Sequence, residues 1–340
     1  MKKKSLTIVG AGVSGLYLAY LLQEDFEITI LEARERVGGR IFSIDGHDMG
    51  PSWVWPHQTH LLSLTQKLGL TLFRQYTKGD ALYDTQGRVE RFNAPATAPS
   101  FRLHGSLTQL IEALHQNLKN VDIQYSEAVE SIEVGSNSVE IQTAKRSYES
   151  DFVVLTLPPR LAANVDFTPK LPLRLEEQMR QTQTWMGNSA KCVIEFESAF
   201  WREQGLSGFA FSHLGPLGEI HDASTADKPA LFGFVNLNAD MQNFERDVRA
   251  QMKRLFAIED EEILKIYLVD WKKEIFSAAV EDATARSGHP NYGIDTSSYS
   301  PRVYFSATEF SHEEGGYIEG ALIQSERVSR ELLCSEIFLT

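Results

Sequence analysis

The run Leu6-Thr7-Ile8-Val9 breaks into Gly10-Ala11-Gly12-Val13-Ser14-Gly15, and an amphipathic helical stretch then leads to a second apolar run at 28–31 that ends on Glu32. Strand, glycine turn, helix, strand and acid in that order predict the first crossover of a parallel α/β sheet that binds a dinucleotide. Gly10 permits the tight turn, Gly12 lets the backbone approach a pyrophosphate, and Gly15 lets helix and strand pack closely. The first turn of the helix, which includes Ser14, offers free N–H groups and the positive end of its dipole to phosphate. Glu32, about twenty residues past the turn, is placed to accept hydrogen bonds from a ribose diol.

The 340 residues suffice for one large or two intimately packed domains. With 42% apolar and 23% charged residues, and no apolar run near the length of a membrane span, the composition is that of a soluble globular enzyme. Lys2-Lys3-Lys4 ahead of an apolar stretch imitates a secretory signal. That stretch is the glycine-turn strand and helix itself, and no small-residue cleavage site follows it, so a cytoplasmic location is expected. A net charge of −13 argues against a nucleic-acid partner and is compatible with a cationic substrate. Cys192 and Cys334 have neither metal-ligand nor redox spacing, so no metal is expected.

No internal repeat, low-complexity tract or Pro/Gly-rich linker divides the chain, which points to interleaved rather than serial domains. Residues 33–40 form a basic, glycine-containing loop, 41–44 a strand, and Asp48-Met49-Gly50-Pro51-Ser52-Trp53 a loop ending in an aromatic. Leu61, Leu64 and Leu68 share one helical stripe with Gly69 as its stop. Strands are expected at 70–73 and 81–83 with Gln86-Gly87 as a hairpin turn, a helix at 107–118, and alternating strands at 121–125, 129–134 and 139–143. The apolar run 152–157, stopped by Pro158-Pro159, reads as a buried strand. Beyond it, 192–196 alternates as a half-buried strand, 231–237 is another, 243–256 is a charged amphipathic helix and 263–271 returns as a strand. Residues 288–293 form a loop and 303–306 a strand; in the last helix Ile318, Leu322, Ser325, Val328 and Leu332 fall at helical spacing.

In this order the chain resembles the flavin-containing amine oxidase family, the group that includes the monoamine and polyamine oxidases. The resemblance spans nearly the whole chain. It is carried by Gly10 to Gly15, by Leu31-Glu32-Ala33-Arg34 through Gly38-Gly39-Arg40, and by Met49-Gly50-Pro51-Ser52-Trp53. Further blocks are Gly105-Ser106-Leu107, Leu155-Thr156-Leu157-Pro158-Pro159, Gly187 with Lys191, and Ser306-Ala307-Thr308-Glu309 to Tyr317-Ile318-Glu319-Gly320-Ala321. The resemblance implies FAD as cofactor. Glu32 would hold the adenosine ribose, Arg34 and Arg40 would flank the diphosphate, and the Val129 backbone would meet the adenine, with Ala33 and Gly39 as further cofactor-binding candidates. Gly50, Pro51, Ser52 and Trp53 are further cofactor-binding candidates, Glu309 would sit near the ribityl-diphosphate region, and the last helix, beginning near Gly316 with Tyr317 and Ile318, would point its N-terminus at the flavin edge.

Catalytic roles follow from the same resemblance. Alternation on its strand puts Lys191 on a face with Val193, Glu195 and Glu197, which by itself reads as solvated. The family carries a lysine here, linked through a water to flavin N5, where a cation would assist reoxidation by oxygen. Tyr317 would form one wall of an aromatic cage for the amine. Tyr292 is the candidate second wall, with His289 beside it and Trp53 or Trp55 as contributors. Two departures stand out. Many relatives attach FAD through a cysteine in the loop before the last strand, whereas residues 283–301 hold none, so non-covalent FAD is expected. Relatives also insert a long, largely helical segment where this chain has only residues 73–103, which predicts a thin roof and an open entrance. No membrane anchor is expected after the last helix.

The expected fold is α/β, a Rossmann-like FAD-binding domain interleaved with a smaller mixed-sheet substrate domain. Residues 1–72, 104–160 and 284–340 are assigned to the first and 73–103 with 161–283 to the second. The expected reaction is oxidation of an amine to an imine, with dioxygen as acceptor and hydrogen peroxide as product. Desaturases and porphyrinogen oxidases share the wider fold, so a bulky non-amine substrate is the alternative enzyme reading; a flavin-binding partner protein without turnover is the non-enzymatic one. The oligomeric state and the particular amine stay open.

Overall fold

The computed structural model describes residues 3–85, 88–93, 98–284, 288–297 and 299–338. Gln86-Gly87, expected as a hairpin turn, lies outside them. A five-stranded parallel sheet runs in the order Val303–Phe305, Phe152–Leu155, Lys4–Val9, Phe26–Glu32 and Val121–Tyr125. Its strands come from the start, middle and end of the chain, so this body is interleaved, as the sequence implied. Alternation along each strand feeds two cores. Leu6, Ile8, Ile28, Ile30, Phe152 and Val154 pack against helices, while Val9, Leu31, Val153, Leu155 and Phe305 pack against a second sheet. That second sheet has four strands, Ser147–Ser150, Val139–Thr143, Val129–Val134 and Asp166–Thr168.

The helix after the glycine turn, Val13–Leu22, differs from the expected amphipathic one. Seven of its ten residues are buried, because the last helix, Ile318–Phe338, and the helix Thr108–Gln116 both pack on it. A helix covered on all sides has no polar face to keep.

The second body is a mixed seven-stranded sheet in the order Ile263–Asp270, Ala190–Phe196, Ala230–Val235, Leu217–Asp222, Leu206–Ser212, Asp80–Thr85 and Arg88–Phe92. Its pairs are antiparallel except that Leu206–Ser212 runs parallel to Asp80–Thr85. Helix Phe244–Phe256 covers one face through Val248, Met252 and Phe256. The other face carries Val193, Ala230 and Phe232 and packs on Met49, with Phe42 and Trp53 beside it. Ala190–Phe196 is therefore buried along its whole length, not half-buried as alternation suggested. Asp166–Thr168 pairs with Ser131–Glu133 as the edge of the four-stranded sheet. The described part of 73–103 supplies two strands of the second sheet and the strand Phe101–Leu103, which pairs with Leu72–Arg74.

Candidate active site

One continuous cavity of about 800 Å³ runs between the two bodies, from the glycine turn to the seven-stranded sheet. Its size is that of a cofactor site with room for substrate. At the first end it is lined by Gly10, Gly12, Ser14, Glu32, Ala33, Arg34, Gly39 and Arg40, with Val129 beside them. At the other end it reaches Gly50, Pro51, Ser52, Trp53, Lys191, Gly316, Tyr317 and Ile318.

The glycine-turn end presents donors and an acceptor of the kind a dinucleotide uses. The Gly12 side of the turn opens on the cavity, with nothing within 4 Å of where a Cβ would stand. Helix Val13–Leu22 begins there with no side-chain cap, leaving its first N–H groups for a phosphate. Glu32 is buried; its Oε2 accepts from the Ala11 N–H at 2.8 Å and its Oε1 from the Arg34 N–H at 2.9 Å. Those bonds fix the carboxylate beside the cavity. Arg34 is anchored by Glu274 at 3.0 Å and the Ser277 hydroxyl at 2.9 Å. Ser14 joins a buried hydroxyl cluster with Ser306 and Ser325 that pins the first helix to the last. Gly15 does not line the cavity; it is the point where helix meets turn.

Glu309 is fully buried, lies outside the cavity lining, and grips Arg40 with two hydrogen bonds of 2.6 and 3.1 Å. Desolvation works against the Arg40 charge, and the carboxylate outweighs it, so the guanidinium is held above its ordinary value. Glu309 thus positions the arginine that faces the cavity. Glu309→Gln is expected to leave Arg40 without its counter-charge, lowering stability by about 3 kcal/mol and weakening FAD binding; thermal unfolding and an FAD titration measure the two effects. Equal melting temperature and equal FAD affinity would contradict this role.

Lys191 stands at the far end, only 3% exposed. Its Nζ donates to the Gly50 carbonyl at 2.9 Å and the Ser52 hydroxyl at 2.5 Å, and lies 4.2 Å from the centroid of the Phe232 ring. Burial pushes the ammonium down to about 7; nearby Asp48 opposes that shift and Arg102 adds to it. Asp48 is itself buried, its carboxyl held above the ordinary range by desolvation, while its Oδ1 accepts from the Leu107 N–H at 2.7 Å. Asp48 and Arg102 were not singled out in the sequence. Only the three-dimensional closeness of segments distant in the chain makes them the electrostatic setting of Lys191.

Around Tyr317 the structure gathers Trp55 at 5.8 Å and 81°, Trp185 at 6.4 Å and 56°, and His289 stacked at 5.3 Å and 10°. Tyr292 is not part of the cavity lining. Its hydroxyl donates to the Gln183 carbonyl at 2.9 Å, and its ring fills the space that side chains at Gly315 and Gly316 would need. Trp55 and Trp185 are the indoles that face the cavity beside Tyr317; an apolar residue such as Trp185 carries no signal of this role in one sequence. Among the described residues there is no cluster of potential metal ligands and no helix long and apolar enough to cross a membrane.

A dinucleotide cradle joined to a buried lysine and an aromatic cluster defines a flavin-binding oxidoreductase architecture, and sequence comparison places it. The profile of the flavin containing amine oxidoreductase family matches residues 13–102 and 95–333, so the chain belongs to that family. It is 22% identical over 450 aligned positions to the flavin-containing amine oxidase of Danio rerio, covering 96% of this chain and 85% of the relative. With the flavin-containing amine oxidase A of Bos taurus the identity is 23%, covering 96% and 84%. An alignment of 450 positions on 340 residues means that long stretches of the relative have no counterpart here. Among solved structures, putrescine oxidase bound to putrescine superimposes with a TM-score of 0.83 at 21% identity, covering 98% of this chain and 99% of that one. Cyclohexylamine oxidase from Brevibacterium oxydans IH-35A gives 0.81 at 16% identity with both chains fully covered.

Proposed function

We propose that this chain binds FAD non-covalently in the cavity and oxidises an amine to an imine, with dioxygen as the final acceptor. The carrying observation is the single cavity that joins the glycine turn to Lys191 and Tyr317. The amine gives up two electrons and two protons; oxygen takes them up as hydrogen peroxide, and water hydrolyses the imine to a carbonyl compound. Bound FAD supplies the two-electron acceptor, which no side chain offers.

The chain's own residues bind, orient and dry. Glu32 would hold the ribose, Arg34 and Arg40 would flank the diphosphate, and the N-terminus of helix Ile318–Phe338 would offer its dipole to the flavin. Tyr317, Trp55 and Trp185 form the wall along which the amine approaches, and their apolar faces favour its neutral form. Lys191 places a partly protonated ammonium on the far side. Non-covalent attachment is supported by the lack of cysteine in 283–301 and by the position of Cys192 in the core on the other face of its sheet.

The test is reconstitution with FAD followed by anaerobic addition of a panel of amines. A yellow protein bleached by at least one amine, and recoloured by oxygen with release of peroxide, is the expected result. A protein that takes up no FAD, or loaded protein that no amine bleaches, overturns the reading.

A further inference from the structure

The strand that carries Lys191 meets the segment that holds it at three places, in step. Alternation sets Lys191, Val193 and Glu195 on one face of Ala190–Phe196. Along that face residues 47–52 run in the opposite direction. His47 meets Glu195, Met49 shares a buried cluster with Val193, and Gly50 and Ser52 take the Lys191 ammonium. We propose that His47 and Glu195 are positioning residues: their hydrogen bond fixes the register of 47–52 on the strand and so holds the Gly50 carbonyl and the Ser52 hydroxyl at Lys191. Its consequence for catalysis rests on the role given to Lys191 in the amine-oxidation reading above. Neither side chain lines the cavity.

The contact lies in the interior. His47 is 1% exposed, and its Nε2 donates to Glu195 Oε2 at 3.2 Å. Its Nδ1 has no hydrogen-bond partner among the described residues, so Glu195 is the polar group that holds the ring. The Tyr267 hydroxyl reaches the same carboxylate oxygen at 3.3 Å, and its ring stands 5.7 Å from the imidazole. Burial keeps His47 below its ordinary value; Glu195 opposes that shift, while Lys228 and Arg102 add to it. The ring is therefore a neutral donor at neutral and alkaline pH, and the contact does not itself titrate where Lys191 does.

Other anchors hold this segment from elsewhere. The Leu107 N–H donates to Asp48 at 2.7 Å and the Trp271 indole to the Met49 carbonyl at 3.0 Å, yet neither donor belongs to the Lys191 strand. Asp45, in the turn before His47, takes the Tyr267 hydroxyl at 2.7 Å and the Lys265 ammonium at 3.2 Å, but exposed contacts of this kind contribute little. Among the described residues, His47 to Glu195 is the side-chain hydrogen bond that ties 47–52 to Ala190–Phe196 apart from those of Lys191 itself. A slip of one residue moves a strand by ~3.3 Å. That takes the Gly50 carbonyl, now 2.9 Å from Nζ, out of hydrogen-bond reach and lets water in.

The experiment follows reoxidation of FAD-loaded protein against pH, with the flavin reduced by dithionite rather than by an amine. In the unaltered protein the rate should fall as Lys191 loses its proton. His47→Phe fills the space without donating a hydrogen bond, and the wetted ammonium should move the midpoint of that fall up by about one pH unit or more. His47→Gln keeps a donor and should stay near the unaltered midpoint. In a Lys191→Met background His47→Phe should add no pH dependence. Thermal unfolding against pH gives a second readout, free of flavin chemistry. The rise in stability that begins as the native lysine deprotonates should start at a correspondingly higher pH in His47→Phe. If His47→Phe does not fold, Glu195→Met removes the contact from the strand side and is judged by the same criterion. An unmoved midpoint in the folded variant, or one moved equally in His47→Gln, overturns the inference, since general loosening would lower stability at every pH alike. If no FAD binds or no amine bleaches it, the function proposed above fails, while the unfolding measurement still decides the register.

Discussion

Lys191→Met is expected to slow reoxidation of the reduced, FAD-loaded protein by oxygen about a hundredfold, far more than it slows reduction by the amine. The magnitude is that of one preorganised charge removed from a water-poor site where negative charge develops. The geometry supports a fixed charge: the ammonium is 3% exposed and held by the Gly50 carbonyl and the Ser52 hydroxyl. Its pH dependence has a definite sign. Burial lowers the group from an ordinary value of 10.5 to about 7, so in the native state the charge is present below about 7 and lost above it. Reoxidation should therefore fall as pH rises through neutrality in the unaltered protein and run flat in Lys191→Met. Stability should move the opposite way. Between about 7 and 10.5 the unfolded chain holds a proton that the native lysine does not, so stability rises with pH across that window. Rapid mixing of reduced protein with oxygenated buffer from pH 5.5 to 9 reads the first effect; unchanged oxygen reactivity in the variant would remove Lys191 from the oxidative half of the reaction.

The parts of this architecture legible in the sequence are those where one local pattern meets one local need. The strand, turn and helix through Gly15, the strand that ends on Glu32, and the strands at 121–125 and 139–143 all carry short-range periodicity or turn chemistry. What was not legible depends on who packs on whom. Lys191 reads as a surface residue because alternation shows two faces, and nothing local tells that the loop through Met49 and Trp53 covers one while helix Phe244–Phe256 covers the other. Leu206–Ser212 and Leu217–Asp222 escaped notice because polar and glycine residues interrupt their alternation; they form by pairing with neighbours already in place. Tyr292, the candidate second wall, turns its ring against Gly315, a matter of backbone direction that composition does not carry.

Gly15→Ala and Gly12→Ala, two substitutions three residues apart in the same turn, are expected to fail in opposite ways. A Cβ on Gly15 would stand 2.0 Å from the Gly10 carbonyl oxygen, a backbone atom that moves only if helix Val13–Leu22 or the turn moves with it. That helix is buried on nearly every side and bound through Ser14 to Ser306 and Ser325, so the displacement spreads into the core. The loss should reach about 3 kcal/mol or more, with the added loss of whatever stabilisation bound FAD contributes by mass action. Gly12, by contrast, has an ordinary φ of −71° and nothing within 4 Å of its Cβ position. Alanine there is compatible with the backbone and clashes with no protein atom; its methyl occupies cavity space that a pyrophosphate needs. The prediction is a Gly12→Ala protein that melts like unliganded unaltered protein yet takes up FAD weakly, against a Gly15→Ala protein with a depressed melting temperature even without cofactor. Thermal unfolding with and without added FAD separates the two. Full FAD loading of Gly12→Ala would mean that the phosphates lie elsewhere, and the reading of the whole cavity would have to start from another wall.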